Sequence, residues 1–132
     1  LLDDIERDLF TELDRNLLSN CQDEFQNLKK VMEYLLEEQE KCTVLINTVP
    51  DQEFSEKLFN LPAIHALIKD RIPPGYTQAQ REYIRIFVCQ GGYAIIRKWL
   101  NDENREPPEE IAEVISSLVL TIFHRGRENG TV

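Results

Sequence analysis

Two histidines, three cysteines and a few acidic pairs are the side chains of this sequence with reactive potential. His65 and His124 stand far apart, and neither has the nucleophile, second ligand or orienting carboxylate at fixed spacing that catalysis or metal binding requires. Cys21, Cys42 and Cys89 are odd in number, widely separated and without a C-x-x-C pair, so they indicate neither a disulfide framework nor a zinc site. A reducing cytoplasm suits them. Asp3 and Asp4, Glu37 and Glu38, and Glu109 and Glu110 are adjacent, and adjacent residues on a helix point in different directions, so each pair reads as a solvated face or a dipole partner. Gly91 and Gly92 lack the spacing of a phosphate loop and lie within a helical pattern, where glycine costs about 1 kcal/mol relative to alanine. Close helix approach and room for a ligand are the two accounts of them. The expectation is a protein that is not an enzyme and holds no cofactor or metal.

Binding chemistry has more to work with. Phe25, Met32, Phe54, Phe59, Tyr83 and Phe87 supply aromatic and thioether surface, which either fills an ordinary core or lines a pocket for a small effector. Tyr83, His65 and Gln90 lie beside apolar residues and would orient such a ligand. His65, between Ile64 and Ala66, reads either as exposed structure or as a contact of this kind.

The chain that must position these residues has 132 residues, 42% of them hydrophobic, which suits one domain with its own core. It carries 24 acidic and 15 basic residues and a formal net charge of −9. Holding nucleic acid takes clustered Lys and Arg, so this segment is not expected to do so by itself. No apolar run approaches the ~20 residues of a membrane span, and the first helix lacks the basic start and apolar middle of a signal peptide.

Every long segment has helical periodicity, which predicts an all-α domain of about six helices. Leu2, Ile5, Leu9, Leu13 and Leu17 recur at spacings of three or four along a helix over residues 1–18. Ser19 and Gln22 have capping-box spacing and open a second helix near Asn20, carried by Phe25, Leu28, Met32, Leu35 and Leu36. The charged run Glu37 to Lys41 predicts a bend before the apolar piece Cys42 to Val49. Pro50 stops that piece, Asp51 is placed as the next N-cap, and Phe54, Leu58 and Phe59 give the following helix its buried side. Pro62 should break it near Asn60. A further short helix over 63–72 ends at Pro73, Pro74 and Gly75, which do not propagate a helix.

Thr77 and Gln80 repeat the capping-box spacing and open a long helix over 77–101. At about 100° per residue, Ile84, Val88, Gly91, Ile95 and Trp99 line one side of it, while Ile86, Cys89, Tyr93, Ile96 and Leu100 line a side roughly 180° away. One side closes a core and the other is left for a partner, and periodicity does not say which. After the polar link Asn101 to Glu106, Pro107 and Pro108 suit a helical first turn, with Glu109 and Glu110 at its positive end. The last helix, over 107–124, has an apolar arc of Ile111, Val114, Ile115, Leu118 and Ile122. Ala112, Ser116, Val119 and Phe123 run along one edge, where the small residues permit a close crossing.

This order of features resembles the C-terminal regulatory domain of the tetracycline-repressor-like (TetR) transcription factors. FVCQGGYAIIRKWL from Phe87 to Leu100, followed by PPEEIAEVI from Pro107 to Ile115, is similar to the branch that includes the regulators of dihydroxyacetone kinase operons in Gram-positive bacteria. LLDDIERDLFTEL looks like the helix that follows the DNA-binding head, which implies a helix-turn-helix before Leu1. DNA would be contacted only through that head. The resemblance implies a homodimer in which the last two helices of each subunit form a four-helix bundle, with earlier helices enclosing the effector. Carried over by position, the dimer face takes Cys89, Tyr93, Ile96 and Leu100 with Ala112, Ser116, Val119 and Phe123. The effector site takes Phe25, Leu28, Met32, Phe59, His65, Tyr83 and Phe87, for a ligand with an apolar or amphipathic body. The competing expectation is a ligand-free helical interaction or coactivator module that binds another regulatory protein.

Overall fold

The computed structural model describes residues 2–18 and 24–130, so the capping box expected at Ser19 and Gln22 lies outside the described residues. Among the described residues seven helices follow one another: α1 (Leu2–Leu18), α2 (Glu24–Glu37), α3 (Gln39–Thr48), α4 (Asp51–Phe59), α5 (Pro62–Arg71), α6 (Gln78–Asn101) and α7 (Pro108–Gly130). No strand occurs among the described residues. The expected bend after α2 falls at Glu38, which separates α2 and α3.

Local chemistry accounts for the breaks. Pro50, and not Asp51, is the N-cap of α4, and no side chain caps that end. Asp51 becomes the first helical residue, which frees its carboxylate for a partner on α6. Pro62 opens α5 at its first turn, where a missing N–H costs nothing, and the break lies just before it at Asn60 and Leu61. Gly75 has φ 104°, a left-handed conformation that glycine adopts without Cβ strain, and it turns the chain after Pro73 and Pro74. The capping box of α6 is complete: the Gln80 N–H donates to Thr77 Oγ1 at 3.1 Å, and the Thr77 N–H donates to Gln80 Oε1 at 2.9 Å.

The link after α6 is folded back on that helix. Trp99 Nε1 donates to the Glu106 carbonyl at 2.7 Å, and the Arg105 guanidinium donates to the Leu100 carbonyl at 3.1 Å. One otherwise unpaired carbonyl at the helix end is thereby satisfied. Pro107 then accepts from the Glu110 and Ile111 N–H groups, and α7 starts at Pro108.

Packing joins the helices through one core. Phe54 of α4 is at its centre, with ring centroids 5.3 Å from Phe10 of α1 and 5.6 Å from Tyr93 of α6, both tilted. Such pairs add about 1 kcal/mol beyond their buried area. Lys57 of α4 donates to Glu6 of α1 at 2.6 Å and to Glu53 at 3.2 Å, which gives the buried Glu6 carboxylate a charged partner. The most extensive helix pair is α2 with α7, whose Ala112 is fully buried; α6 touches α7 only over a short stretch. The small residues of α7 therefore serve a close crossing with α2 of the same chain.

Candidate functional site

Because α7 lies along α2 and diverges from α6, a cleft of about 430 Å³ opens between these helices, with α4 and α5 forming its remaining wall. Leu28, Val31 and Met32 enter it from α2, Leu58 and Phe59 from α4, and Ile64 and Ile68 from α5. The α6 wall is Phe87, Val88, Gly91, Gly92, Ile95 and Ile96, and the α7 wall is Ile115, Leu118, Val119 and Thr121. Its size lies within the usual range of small-molecule sites.

Four of the seven residues expected at an effector site meet here: Leu28, Met32, Phe59 and Phe87. The other three do not. Phe25 is half-buried and packs on the core one turn before Leu28. His65 is exposed on α5, and it is its neighbour Ile64 that reaches the cleft. Tyr83 is 71% exposed one turn before Phe87, outside the wall. The expected set lacks the α5 and α7 residues, Val31, Leu58 and the α6 wall beyond Phe87, although the apolar arc containing Ile115 and Leu118 was a visible signal for α7.

The glycines behave differently from each other. A Cβ at Gly92 would sit 3.5 Å from the Phe59 ring, an ordinary contact, whereas a Cβ at Gly91 would meet nothing within 4 Å. No contact within the chain requires glycine at position 91, and its open side faces the cleft.

Most of the residues expected to meet a partner lie inside the single chain. Cys89, Tyr93, Ile96 and Leu100 are all buried in a single chain, as are Ala112 and Ser116, and Val119 is half-buried in the cleft wall. The side chain of Phe123 lies outside the described residues. What decides the inward side is α4: Phe54 packs on Tyr93, Tyr93 Oη donates to Asp51 at 3.4 Å, and Arg97 pairs with the other oxygen of Asp51. Burial followed by the Asp51 charge pushes the Tyr93 phenol up to about 12. Among the described residues, the large apolar side chains left uncovered on α6 and α7 are instead Ile86 (45% exposed), Tyr83 and Phe87 (68%) of α6 and Val114 (46%) and Leu118 (51%) of α7, while Val44 is uncovered apart from them on α3. Phe87 and Leu118 stand on opposite rims of the cleft, so the uncovered strip and the cleft are continuous.

A second hollow of about 380 Å³, lined by Asp51, Gln90, Tyr93, Arg97 and Asn101 among others, has its polar groups already engaged. Asp51 holds Arg97 and Tyr93, Gln90 donates to Ser55 at 3.3 Å, and Asn101 accepts from Asn47 at 3.2 Å. It is a structural seam between α4 and α6. Burial pushes the Cys42 thiol up to about 12 and that of Cys89 up to about 11, so neither supplies a ready thiolate. Among the described residues no group of three His, Cys, Asp or Glu converges as a metal site, and no helix is long and apolar enough to cross a membrane.

Comparison with known proteins returns one family. No curated protein and no solved structure matches the chain. The family described as the transcriptional regulator C-terminal region of TetR type matches residues 22–121, which span α2 to α6 and most of α7. An all-α chain with a central apolar cleft and this match over most of its length belongs to the family of TetR-type transcriptional regulator C-terminal regions.

Proposed function

We propose that this chain is the effector-binding and dimerising domain of a cytoplasmic, TetR-like bacterial transcription factor, close to the branch that regulates dihydroxyacetone kinase operons. The observation that carries the reading is the cleft, since its walls come both from α6 and α7 and from the helices that support α1. Leu58, Phe59, Ile64 and Ile68 face the cleft, while Phe54 and Lys57 of the same α4 hold Phe10 and Glu6 of α1. A ligand that favours one packing of α4 and α5 thereby biases the position of α1. Differential affinity for two packings is what such a shift requires, because a ligand that binds both equally moves nothing. In a regulator whose helix-turn-helix head precedes α1, that displacement changes the separation of two heads, which the DNA repeat constrains.

The partner is a second copy of the chain, meeting the first through Tyr83, Ile86 and Phe87 of α6 and Val114 and Leu118 of α7. Uncovered apolar side chains grouped in this way mark interaction surfaces. Light scattering tests the assignment. The wild type is expected near twice 15.5 kDa, and Phe87→Glu is expected to give a folded monomer, whereas Tyr93→Glu places a charge in the core and unfolds the chain. A wild-type monomer refutes the shared face and leaves the competing reading, an interaction module for another regulatory protein.

A further inference from the structure

Resting on the effector reading above, the charge character of the cleft goes further and specifies the class of ligand. Among its described lining residues there is no Asp, Glu, Lys, Arg or His. The heteroatoms its side chains offer are the thioether of Met32 and the hydroxyl of Thr121. The hydroxyl proton of Thr121 is committed, because Oγ1 donates to the Ser117 carbonyl at 2.8 Å. Gly91 and Gly92 bring backbone close to the cleft, but they lie in the middle of α6, where N–H groups are already spent on helical hydrogen bonds. Among these described residues an anionic ligand would therefore find no free donor, and a cationic one no carboxylate.

We propose that this cleft takes an uncharged ligand with a continuous apolar body, such as a neutral alkyl or fused-ring compound, and rejects the carboxylate and ammonium forms of the same skeleton. Burial of an unpaired charge is far more unfavourable than burial of a neutral polar end group. The formal net charge of −9 acts in the same direction for anions. It favours cations at long range, but salt screens that attraction over about 8 Å, while desolvation acts in full at the site. The cation is thus the more discriminating control.

The test uses phenylnaphthylamine, a neutral fluorophore that brightens in apolar surroundings, titrated into the protein and then displaced at neutral pH by decanol, decanoate or decylammonium. The expected result is saturable probe binding, displacement by decanol, and more than about tenfold weaker competition by each ion. Displacement by either ion as effective as that by decanol overturns the selectivity while leaving the effector site standing. No saturable binding of the probe to the wild type overturns both. Gly91→Leu locates the site, since position 91 has open space and its side chain would enter the cleft. It is expected to abolish probe binding with helical circular dichroism unchanged. Val88→Trp fills the same space from the next turn, and retention of the probe by both folded variants would place the ligand elsewhere and refute the assignment.

Discussion

From Tyr93 onwards, α6 turns Tyr93, Ile96, Trp99 and Leu100 into the interior, each at most 5% exposed. Between Tyr83 and Gly91 the same helix buries Cys89 but leaves Tyr83, Ile86 and Phe87 uncovered. The residue types of the two halves are alike, and what differs is the neighbour. The C-terminal half lies against α3 and α4, is fixed by Asp51 and by the link to Glu106, and reaches the cleft only through Ile95 and Ile96; the N-terminal half borders the cleft where α6 and α7 diverge. An apolar side chain in the first setting is accounted for by this chain alone. In the second it asks for something outside it.

Truncation at the two ends is the sharpest way to break that contrast. Trp99→Ala removes a side chain that is 2% exposed and releases the Glu106 carbonyl, so it should cost about 3 to 5 kcal/mol in urea denaturation. Phe87→Ala, measured on dilute, dissociated protein, should stay within about 0.5 kcal/mol of the wild type. A loss at Phe87 approaching that at Trp99 would mean that the N-terminal half is covered within one chain, and the partner surface proposed here would fall.

The sequence disclosed the helix boundaries because they are written in local chemistry: Pro50, Pro62, the Pro73 to Gly75 turn, the Thr77 and Gln80 capping box, and Pro107 with Pro108. It disclosed that α6 is apolar on two sides for the same reason, since periodicity is local. The inward side is another matter. Contacts between Asp51 and Tyr93 or Arg97, 42 and 46 residues apart, decide it, and no pattern within α6 encodes them. The sequence reading used Asp51 as a cap, whereas the fold uses it as the anchor of α6. Most of the cleft was hidden likewise: Leu28, Met32, Phe59 and Phe87 stood out as large apolar residues, but Ile115 and Leu118 join them only because α7 packs along α2. Tyr83 and His65 drew attention by type and lie outside the wall.

The two glycines, at the junction of the halves, sharpen the comparison at smaller amplitude. Neither needs a missing Cβ for packing within this chain, so Gly91→Ala and Gly92→Ala should each raise the stability of the dissociated chain by up to about 1 kcal/mol through helix propensity. Gly92 already meets Phe59, and its replacement should leave association unchanged. Gly91 faces the open cleft, and a methyl group there should weaken either dimerisation or probe binding even as thermal stability rises. Equal behaviour of the two variants in every assay would mean that position 91 has no outside neighbour.

Alkaline titration gives the smallest effect, and through Tyr93 it reports on the interior half. Burial, then Asp51, pushes the Tyr93 phenol from 10.0 up to about 12; burial, then Glu38 and Glu12, does the same to Tyr34. The thiols of Cys42 and Cys89 rise from 9.0 to about 12 and about 11, chiefly by burial. Above about pH 9 the unfolded chain releases protons that the folded chain retains, so the unfolded state binds fewer protons and stability must fall as pH rises. The loss extends from the ordinary values up to the raised ones and is absent at neutral pH. Tyr93→Phe removes one of these groups. Because its hydrogen bond to Asp51 is long, at 3.4 Å, the variant should differ little from the wild type near neutral pH, yet lose stability less steeply between about pH 9 and about pH 11 in urea melts. An unchanged slope would show that water reaches Tyr93 in solution, and with it the C-terminal half of α6 that the structure encloses.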